Sequence, residues 1–98
     1  MIKLIFTIQR ETFTIEIDNR IVYYIDRKTK RVRLIPEDEN INMLVIMSRN
    51  SIPKEIIQWF KLNDEEKKEY NNCQTDEQIA ELCIRDAKSK GAILAKRE

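Results

Sequence analysis

The 98 residues fit one domain, and 42% hydrophobic content beside 36% charged content describes a compact core under a heavily charged surface. Eighteen Lys and Arg against seventeen Asp and Glu leave a formal +1, so no global field steers the chain toward nucleic acid or an acidic partner. The absence of histidine excludes Ser-His and Cys-His nucleophile pairs, the single glycine (Gly91) excludes Gly-rich phosphate loops, and no apolar run is long enough to span a membrane.

Residues 2 to 35 alternate with period 2, the pattern of half-buried strands. Ile2, Leu4, Phe6 and Ile8 share one face of the first run, and Ile5 on the other face breaks strict alternation. In the second run Phe13, Ile15 and Ile17 oppose Thr12, Thr14, Glu16 and Asp18. Asp18-Asn19-Arg20 is turn chemistry, because Asp and Asn bond locally and tolerate left-handed backbone. The third run sets Ile21, Tyr23 and Ile25 against Val22 and Tyr24. A polar turn from Asp26 to Lys30 leads to Val32 and Leu34, and Pro36 stops that strand. Short loops between successive runs predict an antiparallel meander of about four strands.

The acidic connector Glu37-Asp38-Glu39-Asn40 precedes the apolar run Met43 to Met47. Periodicity leaves residues 41 to 48 open between a buried strand, which Val45 and Ile46 favour, and a short helix, which Pro36 and the acids would start. Three helices are then expected. Ser51-Ile52-Pro53 opens the first, with Ile56, Ile57 and Phe60 inward. Asn63-Asp64-Glu65-Glu66 caps a second that ends near Tyr70. Thr75 caps the third, with Gln78 reaching back, Ile79, Leu82, Cys83 and Ala87 inward, and Gly91 at its end. Ala92 to Ala95 reads as a last strand returning to the sheet, which makes residues 1–98 a single α+β domain.

Cys73 and Cys83 are not spaced as CxxC, and a helix rise of about 1.5 Å per residue holds them too far apart for an internal disulfide without a fold-back. They read as free thiols of a reducing compartment. Met1 to Phe6 lacks the basic, apolar and small-residue regions of a leader, so the expected location is intracellular, in a host cytoplasm if the source is a virus. The acids cluster where helices begin, which dipole chemistry explains without a metal or an acid–base pair. No cofactor and no metal is expected.

Two features point to partners. Arg20, Arg27, Lys28, Lys30, Arg31 and Arg33 crowd residues 20 to 33 against the single acid Asp26, a local +5, with Tyr24 on the strand between as a stacking candidate. Such a set either guards an edge strand or contacts phosphates or an acidic partner. Residues 51 to 86 carry −4, so pairing of the chain with itself is a further reading. Trp59 beside Phe60 offers one aromatic at the margin of the core, a candidate interface anchor. The expected function is that of a non-enzymatic regulatory or accessory protein acting through protein contacts, with a homodimer expected, of a kind common among viruses and mobile elements. Nucleic-acid binding by the 20–33 hairpin is the alternative.

Overall fold

The computed structural model describes residues 1–26, 30–35 and 62–98. Four strands follow in succession, β1 (Ile2–Ile8), β2 (Glu11–Asp18), β3 (Ile21–Asp26) and β4 (Lys30–Ile35). Helix α1 (Asp64–Asn71), helix α2 (Asp76–Ser89) and strand β5 (Ile93–Arg97) complete the described chain. The architecture is α+β with a five-stranded antiparallel sheet in the order β4-β3-β2-β1-β5. Among the described residues there are two helices where three are expected. The helix opening at Ser51 and the 41–48 segment lie outside the described residues.

Alternation becomes a one-sided core. Leu4, Phe6, Ile15, Ile17, Val22 and Leu34 are at most 1% exposed, and they join Ile79, Ala80, Cys83 and Ala87 of α2 in a single cluster. Each fully buried aliphatic or aromatic side chain here contributes about 1.5–3 kcal/mol of burial free energy. Helix α2 packs over β1, β2 and β5, with its N-terminus held by the Arg20 N–H donating to Asp76 Oδ1 at 2.7 Å.

The helix starts follow the caps. Asn63 Oδ1 accepts from the Glu66 N–H at 2.8 Å and Glu66 Oε1 accepts from the Asn63 N–H at 3.0 Å, a complete capping box. Thr75 accepts from the Gln78 N–H, but the Gln78 side chain reaches the N–H of Gln74 at 2.6 Å instead of that of Thr75. Gly91 ends α2 at φ +92, a left-handed conformation in which a side chain would be strained even though the surrounding space is open.

Both described hairpins turn on two residues with positive φ and no glycine: Gln9 (47) and Arg10 (72), then Asn19 (51) and Arg20 (64). Register pairs Ile8 with Glu11 and Asp18 with Ile21, so each loop has two residues, the arrangement in which Asn-Gly is preferred. Left-handed backbone costs a residue with a Cβ about 1–2 kcal/mol, part of which glycine returns as unfolded-state entropy. Replacing Arg10 and Arg20 by Gly should therefore raise stability by about 0.5–1 kcal/mol each, a rise in Tm of about 2–8 °C per site. Arg20→Gly keeps the backbone donor to Asp76. A fall in Tm by scanning calorimetry in either variant would contradict this account of the turns.

Candidate interaction surface

The sheet has two edges and two faces, and each is built differently. Among the described strands, β4 and β5 are the outermost. Both are bulged: Tyr23 pairs with Arg33 but Val22 with Ile35, and Phe6 pairs with Leu94 but Ile5 with Lys96. β4 also carries Lys30, Arg31 and Arg33, and β5 carries Lys96 and Arg97. Bulges and basic side chains are the two devices that keep edge strands from pairing with another chain. Arg31 and Arg33 thus lie on an outermost described strand.

One face carries the core. The other, the outer face, presents Lys3, Ile5 and Thr7 of β1, Thr14, Glu16 and Asp18 of β2, Ile21, Tyr23 and Ile25 of β3, and Arg31 and Arg33 of β4. Neither described helix lies on it, since the buried apolar residues of α1 and α2 all belong to the core cluster. Ile5, Ile21, Tyr23 and Ile25 are half-buried, and Ile93, beside Thr7, is 70% exposed. β3 is therefore apolar on both sides, a composition that belongs to strands covered on both faces.

The charges on this face are matched internally. The Arg31 guanidinium crosses from β4 over the Tyr23 ring, 4.6 Å from its centroid, to Glu16 Oε2 at 3.1 Å. Asp18 Oδ2 lies 3.8 Å from the same group, and Met1 Sδ accepts from it at 3.4 Å. The Glu16 side chain is only 12% exposed under this cover. One arginine thereby ties three strands and neutralises the middle of the face, at a modest net gain of about 1 kcal/mol for so exposed a cation.

The predicted basic set divides. Arg20 lies in the β2–β3 turn, at the opposite end of the six-residue β3 from Asp26, about 20 Å of strand at ~3.3 Å per residue. Arg31 is engaged with Glu16 and Asp18, and Arg33 is half-buried opposite Tyr23. Arg27, Lys28, the Lys30 side chain and Trp59 lie outside what is described. Tyr24 is corrected: it is 4% exposed and points into the core opposite Ile15, so its ring cannot stack on a base. Among the described residues the aromatic on the outer face is Tyr23. Alternation set the two tyrosines on opposite sides; only the pairing of β3 with β2 decides which side is the core.

The helical side holds a second polar cluster. The Tyr70 hydroxyl donates to Asp86 Oδ2 at 2.6 Å within the core, and Arg85 joins Asp86 (3.0 Å) to Glu69 (2.9 Å). Burial, then the neighbouring Cys83 and Asp86, pushes the Tyr70 hydroxyl far above its ordinary range. Burial also pushes the Cys83 thiol up to about 12, despite an opposing hydrogen bond from Tyr70. Cys73, raised by burial and by Glu69, donates its thiol proton to the Glu69 carbonyl at 3.3 Å. Neither sulfur is activated as a thiolate. An open depression between the helices is lined by Glu69, Cys73, Glu81 and Leu82, but Glu69 already holds Arg85 and Glu81 holds Arg97 at 3.2 Å. No group of three or more metal-ligating side chains occurs among the described residues, and none of their helices is long and apolar enough to cross a membrane.

Comparison with protein-family models, with curated proteins and with solved structures finds no match to the chain.

Proposed function

We propose that this chain is a non-enzymatic regulatory or accessory protein that works through protein contacts made by the outer face of its sheet. One observation carries the reading: β3 is apolar on both sides, yet among the described residues only the core side is covered by helices. The surroundings agree with it. Both outermost described strands carry bulges and cations that disfavour strand addition, and the centre of the outer face has its carboxylates matched by Arg31, which resembles the charge-depleted middle of a protein interface.

The nucleic-acid alternative draws on Arg31, Arg33 and Tyr23 sharing that face. It is weakened by the two carboxylates that already hold Arg31 and by the length of β3, which separates Arg20 from the far end of that strand. A titration of labelled duplex DNA at about 50 and 200 mM salt separates the two readings, because each neutralised phosphate adds about −0.9 to the log–log salt slope. The expected result is weak binding that salt abolishes. A micromolar complex that survives physiological salt would reverse the order of the two readings.

A further inference from the structure

We infer that α1 is a strap that lifts off α2 while α2 and the sheet stay folded, and that the Cys83 thiol is what it covers. The two helices are anchored so differently that one must open before the other.

Little holds α1. Six of its eight residues are charged, and Tyr70 is its one buried side chain. Glu66 and Lys67 are half-buried, and the other five residues are exposed. Of the residues buried in the core cluster, only Tyr70 comes from this helix. Its bond to Asp86 is exchanged for bonds to water on opening, so it favours closure only modestly. The Glu69–Arg85 pair, at 2.9 Å, joins side chains that are both about half exposed, an arrangement of small net value. At eight residues the helix is also shorter than the ~12–15 an isolated helix needs, so undocking and melting are one event.

Much more holds α2. It buries Ile79, Ala80, Cys83, Asp86 and Ala87 and packs over three strands. Its first turn is fixed by the Arg20 N–H on Asp76, and Arg97 of β5 engages both Glu77 and Glu81. Neither contact passes through α1, so both survive its release.

What the strap covers follows from Tyr70. Its hydroxyl donates to Asp86 Oδ2 at 2.6 Å and also lies within hydrogen-bond reach of the Cys83 sulfur. Cys83 is 0% exposed beneath it. Lifting Tyr70 removes that cover and returns the Asp86 carboxylate to water, so no buried charge is stranded in the open form. A ligand that prefers docked or undocked α1 would change access to the thiol in proportion to its preference, which makes the strap a regulatory element.

The test follows the thiol in the full chain. Cys73→Ser keeps a hydroxyl to donate to the Glu69 carbonyl and leaves Cys83 as the sole thiol. Its thiolate attacks an aromatic disulfide reagent, forming a mixed disulfide and releasing an aromatic thiolate that absorbance records. Where the rate is proportional to reagent, it reads the open population. Labelling should run at least about ten-fold faster than global unfolding permits, and its logarithm should rise with urea at less than about half the global slope. Tyr70→Phe should speed it about 10- to 100-fold. Asn63→Ala, which removes the cap at the far end of α1, should speed it about five-fold. Leu34→Ala, in β4, should lower Tm yet leave the rate within about two-fold, because the sheet is folded in both forms. A rate that follows the global urea slope, or that Leu34→Ala raises by as much as it weakens the fold, overturns the inference. An unchanged rate in Tyr70→Phe overturns it too. The urea slope of Cys73→Ser keeps the test decisive if Tyr70→Phe or Leu34→Ala fails to fold.

Discussion

Phe6→Ala should cost about 3–5 kcal/mol, the range for deleting a buried aromatic ring. Phe6 is fully buried at the centre of β1 and stacks on Phe13 of β2, ring centroids 5.3 Å apart and planes 21° from parallel. It also pairs in register with Leu94 of β5. The truncation removes the ring from beneath α2 and from between two strands at once, and two flanking backbones fixed by ladders cannot collapse into the space. A domain of this size is stable by roughly 5–15 kcal/mol, so the loss takes a large share of the total. At about 4–8 °C per kcal/mol, Tm should fall by 12 °C or more. Urea unfolding followed by circular dichroism measures the change. A cost under about 1.5 kcal/mol would mean that the site closes up, and that the sheet is held by its ladders more than by this ring.

Alkaline pH should unfold the protein over a narrow window, and the helix pair sets it. A thiol or phenol whose folded pKa is raised stays protonated in the native state while the unfolded chain ionises. The unfolded state then binds fewer protons, and stability falls as pH rises. Cys83 contributes fully below its unfolded value of 9.0, and its contribution is lost as pH climbs toward about 12. That interval corresponds to about 4 kcal/mol. Tyr70 adds to the loss above its ordinary value of 10.0, since burial beside Cys83 and Asp86 holds it neutral. Tm should be level below pH 8.5 and fall steeply above pH 9, with tyrosinate absorbance appearing together with the loss of helical signal. Cys83→Ala, compared with itself across pH, should move most of the loss up by about one unit, with Tyr70 its main source and the more exposed Cys73 a minor one. A Tm that stays level to pH 11 would remove both groups from the account, and an unchanged course in the variant would remove Cys83.

Much of the fold was legible because local and tertiary signals agreed. The period-2 runs, the Asn63 and Thr75 caps and the left-handed Gly91 each have a single local solution, and the structure adopts all of them. The turn at Gln9-Arg10 carried no turn residue; it exists because Ile8 and Glu11 pair, a tertiary demand that overrides the cost of left-handed backbone. Asp86 was hidden differently. It falls on the apolar stripe of α2 with Ile79 and Cys83, and an acid at such a position signals a buried donor, but only the packing of α1 identifies that donor as Tyr70. The surface was the least legible part. Arg31 looks alike in sequence whether it guards an edge, meets a phosphate or braces Glu16, and the choice rests on a contact between strands fifteen residues apart.

The sheet order also fixes a sequence of events during synthesis. β1 has two neighbours, β2 and β5, and the chain reaches them at very different times. The first is made within a few residues by a local hairpin, whereas about 85 residues separate Ile8 from Ile93. At roughly 5–20 residues per second, the isoleucine-rich inner strand waits some 4–17 s with one side open. In the finished protein the backbones of Lys3 and Glu98 exchange two hydrogen bonds, at 2.9 and 2.8 Å, so a residue made late closes the edge opened by one made early. The guarded edges of the native sheet are thus no protection for the nascent one, whose vulnerable strand becomes interior only when translation of β5 is complete.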